Sequence, residues 1–415
     1  MEGIPELEYR DRVKRCQELA RERGWHAILA YSGHRFSMSQ GIEDGQNLRY
    51  LVGFTYPTHE IQSEDVVVPY HGSENLLVIP TEGDPSLIIS TAESERVKKQ
   101  TWIGDVRTTS DEFADSRSQG MAHITSEILN AQKNGKLGFA GDGFPMDLYL
   151  QLTKRFHKTK FVDCTHDLNL FRVIKTQNEL RIMRKAAEIA DEGVRALLTS
   201  CKPGVTEFEI HLAVEKAMFE AGGDGPWSVI LSGPRSVIPY ISPDYTQRQL
   251  RDGDMVYADI GTELMGYHSD IQPAYIVGRG SEDQLALIKT SQKMIRAMID
   301  ATRPGTTDTQ ILQTAYEALT ENPFRDYVRT STFGHGYGVG LDPPDLTGKT
   351  LSLSKSKQLI LRENMVLCYE PGIFVPGLGG AAIEDEVVIT ADGCQVISRC
   401  AERAQEFLLS QRSIN

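Results

Sequence analysis

The chain has 415 residues, of which 40% are hydrophobic and 24% charged, and its formal net charge is −13. This length allows two or three domains, and the composition is that of an ordinary globular protein. The acidic balance argues against nucleic acid or an anionic membrane as the main partner. We predict no signal peptide and no membrane span, because the N-terminus MEGIPELEYRDR is charged and no window approaches about 18 consecutive apolar residues. The six cysteines are scattered without a CxxC pair, which is typical of reduced thiols in a cytoplasmic protein.

The first 170 residues show the pattern of a mixed α/β domain. Apolar positions at helical spacing predict a helix over residues 6–24, closed by Gly24. Short β-type runs separated by turn pairs predict strands at 27–31, 76–79 and 87–90, and a second helix is expected over 121–132. Two further strands, at 136–140 and 161–164, complete a domain that we place at residues 1–170.

A second domain, residues 171–415, begins with helix-start chemistry. In Thr176-Gln-Asn-Glu179 the threonine can cap the first backbone amides while the glutamate reaches back, which predicts a helix. The same device returns twice in an internal repeat, because residues 202–218 and 303–319 align without gaps and share a Pro-Gly turn, a capping box and an amphipathic helix. Two related halves that each lead into strands predict a pseudo-symmetric α+β domain with a site between the halves.

Residues 255–278 predict a β-hairpin that carries two aspartates, Asp259 and Asp270. Residues 255–261 form a short apolar run, residues 263–266 are turn-like, and residues 267–278 are typical of the returning strand. With the turn centred on Leu264 and Met265, the two aspartates stand directly opposite each other on one face, with Cβ atoms roughly 5 Å apart. Two carboxylates that close share either a proton or a cation.

The second half of the domain supplies a matching hairpin with two glutamates. Residues 365–374 and 382–390 are predicted strands joined by the glycine-rich segment 375–380, and they place Glu370 and Glu384 in corresponding positions. Before them lies TFGHGYGVGLD, residues 332–342, in which His335 is the only histidine after residue 268. Four clustered carboxylates in apolar runs cannot all stay ionised without cations, so we predict about two divalent metal ions among them. Oxygen ligands with one nitrogen suit manganese, iron, cobalt or zinc.

The order of these acids and of the histidine, together with Tyr369-Glu-Pro-Gly-Ile373 and Ile383-Glu-Asp385, resembles the creatinase and prolidase family. The resemblance covers the chain from about residue 169, and the two-domain layout fits as well. It implies a pita-bread fold for the C-terminal domain and homodimers in which the N-terminal domain of the partner subunit closes the active site. It also implies a dinuclear metal site, whose ligands here are Asp259, Asp270, His335, Glu370 and Glu384.

The histidine departs from the family pattern. Members that use metal carry their ligand histidine just before the stretch corresponding to Gly338-Val-Gly-Leu341, and here that place is Tyr337. His335 lies two residues earlier, so it faces the same side of a strand but reaches the site only if the backbone slides by roughly 6.5 Å or the loop is remodelled. The alternatives are Tyr337 as an oxygen ligand, His268 on the same face as Asp270, or water.

Other family positions are also replaced. Family histidines are expected at Tyr240 and near Pro344, and family arginines at Ala382 and Pro273. In the peptidases of the family these histidines help to handle the tetrahedral intermediate, so their absence argues against cleavage of standard Xaa-Pro peptides. Such changes are typical of members that act on other small molecules, such as creatinases, ectoine hydrolases and dimethylsulfoniopropionate lyases.

Four residues are candidates for the catalytic work. Glu370 is the expected proton shuttle, because a metal-bridging carboxylate can take the proton of the attacking water. Tyr240 and Tyr337 can donate a hydrogen bond to a developing oxyanion, although both also fit the simpler role of packed aromatics. His268 can touch metal or substrate, or it can be a strand residue that points into a polar cleft.

We therefore predict a cytoplasmic, homodimeric, metal-dependent hydrolase that cleaves an amide-type C–N bond in a small molecule. Four alternatives remain open: a metal-independent creatinase-like hydrolase, a lyase of the dimethylsulfoniopropionate type, an Xaa-Pro dipeptidase or aminopeptidase, and a binding protein without catalysis on the same fold. Retention of all four acids favours the metal-dependent enzyme, because uncompensated neighbouring carboxylates would destabilise the fold. Neither nucleic acid nor a membrane is expected as a partner.

Overall fold

A computed structural model of the chain describes residues 3–32, 46–53, 74–89, 91, 94–109, 116–130, 135–141, 143–238, 244–352 and 357–412. The chain divides into two units, Met1–Arg172 and Val173–Asn415. This division lies two residues beyond the domain boundary predicted at residue 170. No helix among the described residues is both long enough and apolar enough to cross a membrane.

The first unit is a mixed α/β structure. Its strands are β1 (Ala27–Ser32), β2 (Asn75–Pro80), β3 (Ser86–Ile89), β4 (Asp105–Thr108), β5 (Gly135–Ala140) and β6 (Thr159–Asp163). Its helices are α1 (Glu6–Arg23), α2 (Gln46–Val52), α3 (Ser94–Gln100), α4 (Arg117–Leu129), α5 (Met146–Arg155) and α6 (Thr165–Arg172). The strands form one sheet in the order β4-β3-β2-β1-β5-β6, in which β1 pairs antiparallel with β2 and parallel with β5. All elements predicted here are confirmed to within a few residues, whereas β4 and the helices other than α1 and α4 were not predicted.

The second unit consists of helices packed around antiparallel sheets. Its helices are α7 (Gln177–Ser200), α8 (Glu207–Glu220), α9 (Glu282–Ala301), α10 (Asp308–Glu317) and α11 (Cys400–Arg412). Its strands are β7 (Trp227–Ser232), β8 (Met255–Leu264), β9 (Tyr267–Ile271), β10 (Ala274–Ile276), β11 (Gly334–Tyr337), β12 (Leu341–Leu346), β13 (Val366–Tyr369), β14 (Gly372–Val375), β15 (Gly379–Ala382), β16 (Asp385–Ile389) and β17 (Cys394–Val396). One sheet has the order β10-β8-β7 with β9 also on β8, a second has the order β12-β11-β13-β16-β17, and β14 pairs with β15.

The internal repeat forms equivalent structures in the two halves of this unit. The helices α7 and α8 pack against each other, as do α9 and α10, and each second helix begins with a complete capping box, at Thr206 and at Thr307. Gly204 and Gly305, in the turns before these helices, share a φ of 90°, a conformation that favours glycine. The pseudo-symmetric α+β architecture predicted from the repeat is thereby confirmed.

The hairpin of β8 and β9 turns at Met265-Gly266, one residue later than predicted, so the predicted register was wrong. These two residues have φ values of 52° and 85°, left-handed values that suit a two-residue hairpin turn. Asp270 therefore pairs with Gly261 and not with Asp259. The two aspartates remain on one face as diagonal neighbours, because the pairing shifts by two residues along the returning strand.

Prolines interrupt the hairpins that carry the acids. The predicted strand 267–278 is divided into β9 and β10 at Gln272-Pro273, because proline has no N–H to donate to the ladder. The predicted strand 365–374 is likewise divided at Glu370-Pro371, and its partner strand is divided at Glu384. The β13–β16 and β14–β15 pairs keep one register across this gap, so the two glutamates occupy opposite positions within it.

Candidate metal centre

Four buried carboxylates converge in the second unit. Asp259 lies on β8 and Asp270 on β9, while Glu370 and Glu384 stand in the gap of the second hairpin. The exposed fractions of these four residues, in the same order, are 3%, 8%, 3% and 0%. Gln272 links the two hairpins, because its backbone carbonyl accepts a hydrogen bond from the N–H of Glu384 at 2.9 Å. The structure thus brings together all four acids that the sequence singled out.

His335 lies on β11 and reaches the acids. Its Nε2 is 3.7 Å from Oδ2 of Asp270, 3.9 Å from Oε1 of Glu370 and 4.0 Å from Oε1 of Glu384. The pairing of β11 with β12 shifts its register between His335 and Gly336, an irregularity of the kind that re-aims side chains. His335 therefore reaches the carboxylates although it lies two residues before Tyr337. The register shift lies directly after it on the strand.

Several oxygens in this cluster have no hydrogen-bond donor. One oxygen each of Asp259, Asp270 and Glu384 lie within 4.8 Å of one another. Oδ1 of each aspartate and both oxygens of Glu384 are buried and accept no hydrogen bond from any residue that the structure describes. Burying a charged oxygen without a partner is costly, and a divalent cation satisfies several such oxygens at once. Carboxylate oxygens with one imidazole nitrogen form a donor set that suits divalent transition metals, so the residues fit the predicted group.

Three of the acids resist ionisation. Burial raises the pKa of Asp259, Asp270 and Glu384, and the neighbouring carboxylates raise it further. Without a cation, these three carboxyl groups therefore tend to hold protons, which neutralise their charge. A cation removes the mutual repulsion and allows these groups to act as anionic ligands.

Glu370 differs from the other acids because the protein supplies its counter-charge. Arg329 and the side-chain amide of Gln272 donate hydrogen bonds to Oε2, the second at 3.1 Å, and the hydroxyl of Thr332 donates to Oε1 at 2.6 Å. Burial opposes ionisation, but Arg329, His335 and these hydrogen bonds outweigh it and lower the pKa of Glu370. Glu370 is therefore held as a carboxylate in one orientation.

Sequence reasoning missed four members of this cluster, Arg329, Thr332, Gln272 and Cys368. Gln272 lies two residues after Asp270, and Cys368 lies two residues before Glu370. The period of two along a strand places each of them on the same face as its neighbouring acid, and this signal could have found both. Arg329 lies in irregular chain before β11, and no motif marks it.

His268 and Tyr337, two of the predicted catalytic residues, lie close together near the acids. The Tyr337 ring centroid is 5.7 Å from that of His268 and 5.2 Å from that of His335, and His268 lies two residues before Asp270 on β9. Nε2 of His268 and the hydroxyl of Tyr337 are buried and have no hydrogen-bond partner within the described part of the chain. Burial raises the pKa of Tyr337 well above its usual range, so its phenol stays neutral. Tyr240, the remaining catalytic candidate, lies outside the described residues.

Comparisons with known proteins point to one family. The family described as metallopeptidase family M24 matches residues 181–391, and the creatinase/prolidase N-terminal domain matches residues 12–174. The Xaa-Pro dipeptidase of Pyrococcus horikoshii is 30% identical over 258 residues, which cover 61% of this chain and 71% of that protein. The protein named "Probable dipeptidase PepE" in Mycobacterium tuberculosis is 32% identical over 363 residues, which cover 86% of this chain and 89% of that protein.

Solved structures show the same fold. Dipeptidase PepE from Mycobacterium ulcerans has a TM-score of 0.75 at 25% identity and covers 96% of this chain and 97% of its own. The prolidase from Pyrococcus horikoshii OT3 has a TM-score of 0.76 at 24% identity, with 94% of this chain and 98% of that chain covered. The predicted two-domain α/β architecture with a pita-bread C-terminal domain is confirmed, and the protein is a peptidase-like hydrolase of C–N bonds. The chain belongs to metallopeptidase family M24, as the order of its acids predicted, and it carries the creatinase/prolidase N-terminal domain, which agrees with the predicted two-domain layout.

Proposed function

We propose that this protein uses two divalent cations to hydrolyse an amide-type C–N bond in a small substrate. Membership of the family already implies a peptidase-like hydrolase and divalent metal. The observation that carries the proposal is a set of four buried carboxylate oxygens on Asp259, Asp270 and Glu384, next to His335, to which no described residue donates a hydrogen bond.

The ligand atoms form two groups that meet at Glu384. Asp259, Asp270 and Glu384 offer three oxygens for one cation. His335 offers its Nε2 to a second cation, with oxygens of Asp270, Glu370 and Glu384 within 4.0 Å of that nitrogen. Manganese, iron, cobalt and zinc all accept such donors. When bound, the cations would lower the pKa of a water molecule and polarise the carbonyl of the scissile bond.

Glu370 is the proposed proton acceptor. Its carboxylate is ionised, and hydrogen bonds to both oxygens fix its orientation. It takes the proton of the attacking water and passes it to the leaving nitrogen. Arg329 holds Glu370 in the required charge state, so we assign Arg329 a positioning role.

Tyr337 and His268 are the proposed donors to the oxygen that gains negative charge during the reaction. Each has one buried polar atom without a partner among the described residues, and a substrate oxygen or a water would satisfy it. The neutral phenol of Tyr337 has a proton to donate, as an oxyanion requires. The same role for Tyr240 stays a prediction, since its position is not described.

The residues that replace the family's arginines and histidines favour a substrate other than a standard Xaa-Pro peptide. Ala382 packs in an apolar cluster with Val229, Leu231 and Tyr257. An alanine in that place cannot form the paired hydrogen bonds that an arginine gives to a carboxylate. Pro344 is buried on β12 and offers no imidazole. We therefore expect a small amide or a non-proline dipeptide as the substrate.

An Xaa-Pro dipeptidase is the second candidate, because the relative from Pyrococcus horikoshii carries that name. The measurement that separates the two is kcat/KM of the metal-loaded protein on Ala-Pro, Ala-Ala and a series of small amides. A preference for Ala-Pro of about tenfold, which corresponds to roughly 1.4 kcal/mol of transition-state stabilisation, would favour the dipeptidase. A preference of that size for one of the other substrates would support our proposal.

Metal content is the first test of the dinuclear site. Protein purified without chelator or metal-affinity resin should contain about two equivalents of transition metal by mass spectrometry, and Asp259→Asn should lose them. Asp308→Asn changes another buried acid of the same unit and should keep its metal. Folded wild-type protein without metal would contradict the proposal and favour a metal-independent, creatinase-like reaction.

Turnover in water labelled with a heavy oxygen isotope tests hydrolysis against elimination. Hydrolysis incorporates solvent oxygen into the product, whereas a lyase of the dimethylsulfoniopropionate type does not. Metal-loaded protein that turns over no amide or dipeptide would favour a binding protein. The homodimer, with the partner subunit closing the site, and the cytoplasmic location stay predictions, and analytical ultracentrifugation tests the first.

A further inference from the structure

Cys368 lies on the same face of the sheet as the acids. It is a residue of β13, it pairs directly with His335 on β11 and with Glu386 on β16, and it lies two residues before Glu370. Directly paired residues on neighbouring strands point to one face of a sheet, so the thiol shares the face of the proposed ligands. The residue is completely buried.

The thiol of Cys368 is one of three potential ligand atoms that lie close together. Sγ of Cys368, a ring nitrogen of His335 and a carboxylate oxygen of Glu384 all lie within 4.8 Å of one another. Glu384 is 0% exposed, and both of its oxygens are without a hydrogen-bond donor in the described chain. A buried carboxylate that lacks donors is an independent indication that a cation belongs here. The oxygen group of Asp259 and Asp270 shares Glu384 with this one, so the two groups adjoin.

We propose that Cys368 is a metal ligand and that its thiolate binds the cation held by His335 and Glu384. The other cation then lies among oxygens alone, at Asp259, Asp270 and Glu384. This inference rests on the proposed dinuclear site and adds a sulfur to it. The ligand set that the family resemblance implies contains two aspartates, two glutamates and one histidine, so the sulfur is an addition to that set.

The binding step balances without any redox partner. When the cation binds, a metal–sulfur bond forms, the S–H bond of Cys368 breaks, and the proton leaves to solvent. Around one zinc ion, sulfur at about 2.3 Å and nitrogen at about 2.0–2.1 Å are roughly 3–4 Å apart, so small side-chain rotations close the spacing found here. Thiolate is a soft donor that selects zinc, whereas an all-oxygen site suits manganese. We therefore expect the two positions to differ in metal preference.

Cobalt substitution detects the sulfur directly. Metal-depleted protein is titrated with Co²⁺ without oxygen, and the near-ultraviolet band of thiolate-to-cobalt charge transfer is recorded. The wild type should gain this band in proportion to bound cobalt. Cys368→Ser should bind cobalt without the band, and Cys201→Ser, which changes another buried cysteine of the same unit, should keep it. A band of undiminished intensity in Cys368→Ser would overturn the proposal.

X-ray absorption on zinc-loaded wild-type protein tests the ligand without any variant. Sulfur at about 2.3 Å from zinc supports the proposal, and a shell of only nitrogen and oxygen at about 2.0–2.2 Å overturns it. The two failures can be told apart. Bound zinc without sulfur overturns the thiolate ligand and leaves the proposed hydrolase standing, whereas protein that binds neither zinc nor cobalt overturns both.

Discussion

Arg329 donates a hydrogen bond to the carboxylate of Glu370, and the two side chains are only 5% and 4% exposed. This ion pair divides the four acids into two kinds. Burial works against ionisation of Glu370, but the guanidinium and the other donors outweigh it and lower the pKa. Burial and repulsion raise the pKa of Asp259, Asp270 and Glu384, and none of these three accepts a hydrogen bond from an arginine among the described residues. One acid is thus a permanent carboxylate, and the other three need a cation or protons from solution.

Replacing Arg329 with methionine should destabilise the metal-free protein by about 3–5 kcal/mol, because the change leaves a buried carboxylate uncompensated. Urea denaturation in the presence of a chelator measures the free energy of unfolding. Arg325→Met, an exposed arginine of the same segment, is the control and should change it by less than about 0.5 kcal/mol. The double variant Arg329→Met with Glu370→Gln should recover most of the loss, and a single variant as stable as the wild type would refute the argument.

Metal binding should release protons, so the affinity should rise with pH. The pKa values of Asp259, Asp270 and Glu384 are raised in the metal-free site, and a cation must displace the protons that these groups hold. Titration calorimetry with Mn²⁺ in two buffers of different ionisation enthalpy counts the released protons. Equal heats in both buffers would show that the three acids were already ionised.

The turn at Met265-Gly266 shows what the sequence could predict about the β8–β9 hairpin. The face of the sheet on which each aspartate lies was predictable, whereas the pairing register of the two strands was not. Both residues have positive φ, which a type I′ turn requires, and the glycine at the second position was the available signal. A turn placed one residue too early moves the pairing by two residues. That error changes which residues are opposite but not the face they occupy, so Asp259 and Asp270 share a face in either register.

The counter-charge of the site could not be predicted in this way. The acids lie on or beside strands, where the period of two fixes the face of each side chain. Arg329 and Thr332 lie in irregular chain before β11, where no periodicity specifies a direction. The repeat was predictable because Thr206 and Thr307 cap their helices through contacts with residues three positions away.

Glu215 on α8 should make the protein less stable as the pH rises. Its carboxylate lies 3.3 Å from Nδ1 of His211 and 3.5 Å from the hydroxyl of Ser228. Burial raises the pKa of Glu215 from 4.5 to about 7, so between these values the folded state keeps a proton that the unfolded state has lost. The protonated side chain therefore contributes to the free energy of unfolding in full below pH 4.5. This contribution, at most about 3 kcal/mol, is lost as the pH rises through 7.

Glu215→Gln removes this titration and keeps the shape of the side chain. Urea denaturation of the variant and the wild type at a series of pH values should show a stability difference that grows in favour of the variant between pH 4.5 and 7. Burial lowers the pKa of His211 to about 4, so its ring is neutral across most of this range and cancels in the comparison. Glu220→Gln, an exposed change on the same helix, should show a constant difference, and a constant difference for Glu215→Gln would contradict the prediction.

Gly334→Ala should weaken the fold and the metal site together. Gly334 has a φ of 146°, which other residues rarely adopt, and a Cβ there would meet the carbonyl oxygen of Cys368 at 2.1 Å. To relieve this overlap, β11 and β13 must move apart. His335 directly follows Gly334 on β11 and would move with the strand. We expect a loss of at least about 2 kcal/mol in the free energy of unfolding, from backbone strain and overpacking combined.

The matched control for Gly334→Ala is Gly393→Ala, because no heavy atom lies within 4 Å of a Cβ added at Gly393. Urea denaturation measures stability, and cobalt titration measures affinity. Both should fall for the first variant and stay near the wild-type values for the second, because separation of β11 from β13 moves the imidazole of His335 away from the carboxylates. A Gly334→Ala protein that loses stability but keeps its cobalt affinity would show that His335 is not a ligand, and the nitrogen or oxygen donor would then have to come from His268 or Tyr337.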